Sequence, residues 1–134
     1  VLKYEIEQVQ AVVHTDPLPN CIADEQQINQ VFSNLIQNAI KYRHCTRKPE
    51  IFVSSKIIGD NLVYSVQDNG IGIPHSHKEK VFEMFHQIDS QSSVTGDGLG
   101  LAVVRRILER HNGKIWLETE LDKGTTFYVQ LQSQ

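Results

Sequence analysis

Cysteine is scarce in this chain, with two among 134 residues, Cys21 and Cys45. Such a pair makes neither a disulfide framework nor a metal-type spacing, and it fits a reduced, cytosolic setting. No apolar run approaches the length that crosses a bilayer, and no signal peptide is expected. Basic residues are not in excess either: 13 Lys and Arg against 16 Asp and Glu leave a formal net charge of −3, which offers no positive field for non-specific nucleic-acid binding. Internal repeats and low-complexity tails are lacking. What is present is length enough for one domain with a core of its own. The first residue is Val, not Met, and the opening stretch reads as strand, so the chain is expected to be an excised piece of a larger protein.

Apolar spacing divides the chain into elements. KYEIEQVQAVVHTD (3–16) carries Ile6, Val9, Val12 and Val13 and reads in part as strand. PLPNCIAD (17–24) is a Pro-punctuated connection ending in Asp24, a good helix N-cap. Over 25–42, Ile28, Val31, Phe32, Leu35, Ile36, Ala39 and Ile40 follow the i, i+3, i+4, i+7 pattern of a helix. Residues 51–68 read as two strands around a Gly59-Asp60-Asn61 turn. A short helix is expected near His77–Phe85, then a polar, mobile-looking stretch over 86–98 with little to bury. A helix over about 99–111 and a hairpin of 114–120 and 125–132 close the chain. Strand, helix, two strands, short helix, helix and hairpin predict a two-layer α/β sandwich with a mixed five-stranded sheet and three helices, not repeated βαβ units.

Three segments carry candidate chemistry. In NLIQNAIKY (34–42), Asn34, Asn38 and Lys41 fall within roughly 60° of one another on a helix, beside the apolar stripe. Two amides and an ammonium there can line a pocket. An Asn oxygen is a neutral hard ligand suited to Mg²⁺ whose charge is met by phosphates, and Lys41 would meet those phosphates as a point charge. Ordinary polar flanks of a surface helix would give the same pattern.

In DNGIGIP (68–74), Asp68 ends a strand and could accept a hydrogen bond from an exocyclic amine such as that of adenine. Gly70 and Gly72 would let the backbone pass close to a flat ring, with Ile73 as an apolar wall. An Asn-Gly hairpin turn is the alternative, weakened because Pro74 and a polar helical segment follow, not a partner strand.

In GDGLGL (96–101), Gly96, Gly98 and Gly100 precede an amphipathic helix. Unpaired N–H groups at such a start face the positive end of the helix dipole and make an anion site, although a plain hinge also uses glycine. No Gly-Lys-Ser/Thr follows, so this is not a Walker loop, and the spacing is not the dinucleotide fingerprint.

Taken together, these segments resemble a known family. NLIQNAIKY is similar to the N box, DNGIGIP to the first glycine box, VFEMFHQID (81–89) to the F box and GDGLGL to the second glycine box of the sensor histidine kinase ATP-binding domain. That domain shares the Bergerat fold with DNA gyrase, MutL and the ninety-kilodalton heat-shock chaperones. The resemblance covers essentially the whole chain, with the boxes in family order, and implies one domain over 1–134. It implies that Asn38 ligates Mg²⁺ with Asn34 beside it, that Lys41 contacts phosphate, and that Tyr42 borders the nucleotide. Asp68 would bind the adenine amino group in a pocket shaped by Gly70, Gly72 and Ile73, with Thr125 near that end. Residues 86–97 would form the ATP lid. Gly96, Gly98, Leu99, Gly100 and Leu101 would hold the phosphates. Phe82 and Phe85 would anchor the lid, a role that simple core packing would mimic.

The implied activity is that of a protein histidine kinase whose phosphoacceptor lies elsewhere. Mg·ATP would donate its γ-phosphate to a histidine on a separate dimeric helical domain of the parent chain, and a response regulator would receive it next. The isolated piece is expected to be a monomer with weak turnover, cytoplasmic, and without direct membrane or nucleic-acid contact. Gyrase- and MutL-type ATPases place a Glu base on this helix where Asn34 stands, so hydrolysis is disfavoured. A non-catalytic module sensing ATP or ADP is the alternative of a different class.

Several positions depart from the family pattern. Asp97 stands where Thr or Ser is usual and brings negative charge toward the expected phosphates, so weaker or more Mg²⁺-dependent binding is expected. Gln87 stands where many members have Arg, and Asp122 where Gly is frequent. His75 and His77 lack a third ligand and read as solvated loop histidines, and His44 looks incidental.

Overall fold

Gly59 and Asp60 form the two-residue turn of a hairpin, pairing Ile58 with Asn61. Its strands are the second and third of five in the computed structural model, which describes residues 12–15, 24–78, 80–82 and 100–132. In chain order these elements are β1 (Val12–Thr15), α1 (Glu25–Lys41), β2 (Glu50–Ile58), β3 (Asn61–Asp68), α2 (Gly100–Arg110), β4 (Lys114–Glu120) and β5 (Gly124–Gln132). The sheet order is β1-β2-β3-β5-β4. β1 runs parallel to β2 and every other pair is antiparallel, so the sheet is mixed, as the order of elements predicts.

Alternation decides which sheet face is dry. Ile51 and Val53 of β2, Leu62, Tyr64 and Val66 of β3, Phe127, Val129 and Leu131 of β5, and Leu117 of β4 are buried. Val31, Leu35, Ala39 and Ile40 of α1 and Leu101, Val104, Ile107 and Leu108 of α2 complete the core at helical spacing. The other sheet face carries two ring stacks, His14 on Phe52 and Trp116 on Tyr128.

The expected short helix takes a different form. Its described part consists of 3-10 turns at His75–His77 and Lys80–Phe82, and residues 83–85 lie outside the described ones. Among the described residues of this stretch Val81 and Phe82 are buried and His75–His77 bury nothing, so tight single turns suffice to seat those two side chains. Phe82 packs edge-on to Phe127, their centroids 6.2 Å apart, so core packing accounts for it.

Asp24 caps α1 as expected: its carboxylate accepts from the Gln27 N–H at 3.0 Å. Its own N–H donates to His111 Nε2 at 3.1 Å, and His111 Nδ1 bonds the Ile107 carbonyl at 2.8 Å, tying this cap to the end of α2. Replacing Asp24 with Ala is expected to cost about 1 kcal/mol, read as a lower urea midpoint in the fluorescence of Trp116.

Candidate functional site

Asp68 lies at the end of β3, opposite the start of β5. Its Oδ1 accepts two backbone N–H groups, from Gly70 at 2.9 Å and Thr125 at 3.2 Å. Burial pushes this carboxyl up to about 6, and the two N–H donors hold it lower than burial alone would. Both bonds fall on Oδ1, which leaves Oδ2 as the oxygen for a further donor. Thr125, only 5% exposed, shares a 2.9 Å hydrogen bond between its hydroxyl and that of Thr119. Thr119 Oγ1 also accepts from the N–H of buried Ile73 at 2.8 Å and lies 3.2 Å from the Gly124 carbonyl. The loop after β3 and the start of β5 are thus joined through one hydroxyl.

The end of α1 meets this loop. The Tyr42 carbonyl accepts from the Ile71 N–H at 3.0 Å. A Cβ on Gly70 would lie 2.3 Å from that same oxygen, so only glycine fits where the two segments touch. Gly72 sits two residues further on, against the backbone of the β4–β5 turn. Burial raises the Tyr42 hydroxyl above its usual range, and Lys41 Nζ stands 5.3 Å from the Tyr42 ring centroid.

α1 also reaches the start of α2. Asn34 Nδ2 donates to the Gly100 carbonyl at 3.0 Å, and its Oδ1 accepts from Gln30 at 2.9 Å. Asn38 is one turn further on and half-buried; its carbonyl accepts from the Tyr42 N–H at 3.1 Å, and its side-chain amide has no hydrogen-bond partner among the described residues. No described atom lies within 4 Å of where a Cβ on Gly100 would stand, and Leu101 is buried behind it. α1 is therefore the common wall of two clusters, Asp68–Gly70–Thr125 at one end and Asn34–Gly100 at the other. Gly96, Gly98 and Leu99 lie outside the described residues, as do Phe85, Gln87, Asp97 and the rest of the expected lid.

Two residues of the site escape the sequence reading. Thr119 carries a signal, because alternation with Ile115 and Leu117 puts a hydroxyl on the inner sheet face. Arg47 has none: it lies in an aperiodic connection, and its Nη2 donates to the backbone carbonyls of Gly70 and Asp122.

Comparison with known proteins agrees with this geometry. The family described as "Histidine kinase-, DNA gyrase B-, and HSP90-like ATPase" matches residues 23–134. Cyanobacterial phytochrome A of Nostoc sp. is 39% identical over 130 residues, spanning 97% of this chain and 17% of the phytochrome. The methanogenesis regulatory histidine kinase FilI of Methanothrix harundinacea is 43% identical over 107 residues, 80% of this chain and 12% of that protein. The chain thus spans less than a fifth of these relatives. Among solved structures, the catalytic domain of histidine kinase ThkA superposes with a TM-score of 0.78 at 32% identity, covering 98% of this chain and 85% of that one. Full-length ShkA in complex with AMPPNP gives 0.83 at 25% identity, covering 99% and 28%. No helix among the described residues is long and apolar enough to cross a membrane. The chain belongs to the histidine kinase-, DNA gyrase B- and HSP90-like ATPase family, as the ATP-binding catalytic domain of the sensor histidine kinase type.

Proposed function

We propose that residues 1–134 form one catalytic domain that binds Mg·ATP along α1 and donates its γ-phosphate to a histidine on a helical domain outside this chain. The observation that carries the reading is Asp68, a buried carboxylate oriented by two backbone N–H groups, with one oxygen left for an incoming donor. The exocyclic amine of adenine supplies such a donor. Gly70, Gly72, Ile73, Tyr42 and Thr125 surround that end.

The residues at the other end fit phosphates and a metal. Among the described residues no group of three His, Cys, Asp or Glu is placed to hold a metal ion. A neutral side-chain amide with no other partner among the described residues, Asn38, suits a cation whose charge its phosphate ligands already balance. Held by the Asn38 amide, Mg²⁺ would supply positive charge to offset what spreads over the phosphates during transfer. Lys41 adds a positive point charge, and the first N–H groups of α2, with no side chain on Gly100, offer donors. Asn34 cannot act as a base, and its amide is already bonded to Gly100 and Gln30. Nothing at that position activates water, which favours transfer to an external nucleophile over hydrolysis. The ShkA structure holding AMPPNP supports the nucleotide assignment. Onward transfer to the aspartate of a response regulator belongs to the same reading.

The chain, mixed with the helical histidine domain of its parent and γ-labelled Mg·ATP, is expected to produce acid-labile, base-stable label on that domain, with slow release of free phosphate. ATP binding without transfer would leave a nucleotide sensor. Rapid phosphate release by the chain alone would leave a hydrolase.

A further inference from the structure

The connection between α1 and β2 reaches the Asp68 site from behind. Arg47 Nη2 donates to the Gly70 carbonyl at 3.3 Å and also to the Asp122 carbonyl. Its Nε is buried and has no hydrogen-bond partner among the described residues, while the side chain as a whole is half-buried, so the polar contacts that hold this guanidinium are those two carbonyls. The segments it joins matter. Gly70 lies in the loop that supplies one N–H to Asp68, and Asp122 lies in the β4–β5 turn just before Thr125, which supplies the other.

Other backbone groups around this junction are committed as well. The Gly70 N–H goes to Asp68, and the Ile71 N–H to the Tyr42 carbonyl at 3.0 Å. The Ile71 carbonyl accepts from the Asp122 N–H at 2.8 Å. Asp122 itself holds φ +66 in the turn, with His44 Nε2 3.8 Å from its carboxylate. Without Arg47 the Gly70 carbonyl loses its partner among the described residues, and the loop and the turn are joined by the Ile71–Asp122 bond, the Thr119 hydroxyl and the Asp68 carboxylate itself.

We propose that Arg47 is a positioning residue for base recognition: by clamping the Gly70 and Asp122 carbonyls it fixes the two N–H donors that aim the Asp68 carboxylate at the exocyclic amine. The inference rests on the ATP reading above. Both bonds leave Nη2, whose two hydrogens can meet two carbonyls at once at a reach that a shorter side chain lacks.

ATP and ITP separate this role from simple bracing, because inosine carries a carbonyl where adenine carries the amine. Titration calorimetry of the 134-residue chain with each Mg·nucleotide is expected to show a preference for ATP in the wild type. In Arg47→Ala, ATP affinity should fall about tenfold with ITP affinity changing much less, so the preference shrinks. Arg47→Gln should behave similarly and serves if the Ala variant does not fold, folding being followed by Trp116 fluorescence. A folded variant that weakens both nucleotides equally, or that keeps the wild-type ratio, overturns the proposal. A wild type that does not prefer ATP overturns the reading of Asp68 itself, irrespective of Arg47.

Discussion

Gly124→Ala is expected to destabilise the chain by about 2–5 kcal/mol, the sum of backbone strain and overpacking. Gly124 holds φ +132, and a Cβ there would lie 2.0 Å from the Asp68 carbonyl oxygen and 2.9 Å from its carbon. Both atoms are backbone in a paired strand end, so no rotamer change relieves the clash. The relief that remains is separation of β5 from β3 at the position where Thr125 reaches Asp68, which dismantles the site together with the fold. Gly59→Ala is the control. Gly59 also has positive φ, +61, but nothing lies within 4 Å of its added Cβ. It should cost only about 1 kcal/mol for the left-handed backbone. Urea unfolding followed by Trp116 fluorescence measures both, and equal losses in the two variants would contradict the packing argument.

Asp68→Asn is expected to move stability and function in opposite directions. Burial pushes the Asp68 carboxyl up to about 6 from an ordinary 3.8. Between roughly pH 4 and pH 6 the folded chain keeps a proton that the unfolded chain has shed, so stability falls as pH rises through that window and is level above it. The cost of the buried charge at pH 7 is up to roughly 3 kcal/mol. Asn keeps the oxygen that accepts from Gly70 and Thr125 but carries no charge. The empty variant should therefore be about 1–3 kcal/mol more stable than wild type at pH 7 and lose the downward slope between pH 4 and 6. ATP affinity should fall about 10–100-fold, because a charged acceptor for the amine is lost. Unfolding curves at pH 4, 5.5 and 7 with calorimetric ATP titrations check both halves. A variant less stable than wild type at pH 7 would show that the carboxylate does more to hold the fold than its burial costs.

Such opposition is what a site residue looks like, and it explains why some positions were legible before the fold was known. Asn38 and Asp68 stand out because each breaks a pattern: a polar residue beside an apolar helical stripe, and an acid closing an apolar strand next to glycines. Asp24, the Gly59-Asp60 turn and strand Lys114–Glu120 were readable from local chemistry alone, since capping, turn preference and alternation act over a few residues. The described part of the short helix near His77 takes 3-10 form: His75–His77 bury nothing, and Lys80–Phe82 bury Val81 and Phe82 over a single turn. Arg47 was invisible for a different reason. Its partners are main-chain carbonyls of Gly70 and Asp122, and carbonyls carry no letter in a sequence. Asn34 falls between: its place beside Asn38 was readable, while its bond to the Gly100 carbonyl depends on how α2 docks.

The sheet order sets when the Asp68 site comes into being. The β2–β3 and β4–β5 hairpins join neighbours along the chain and can form early, whereas β3 pairs with β5 across more than fifty residues. Closing so long a loop is entropically slow. The Thr125 N–H reaches the Asp68 carboxylate only once that central pairing is made. During refolding, recognition of the base should therefore trail the hairpins and arrive with the closure of the sheet, so the domain acquires its chemistry only when its topology is complete.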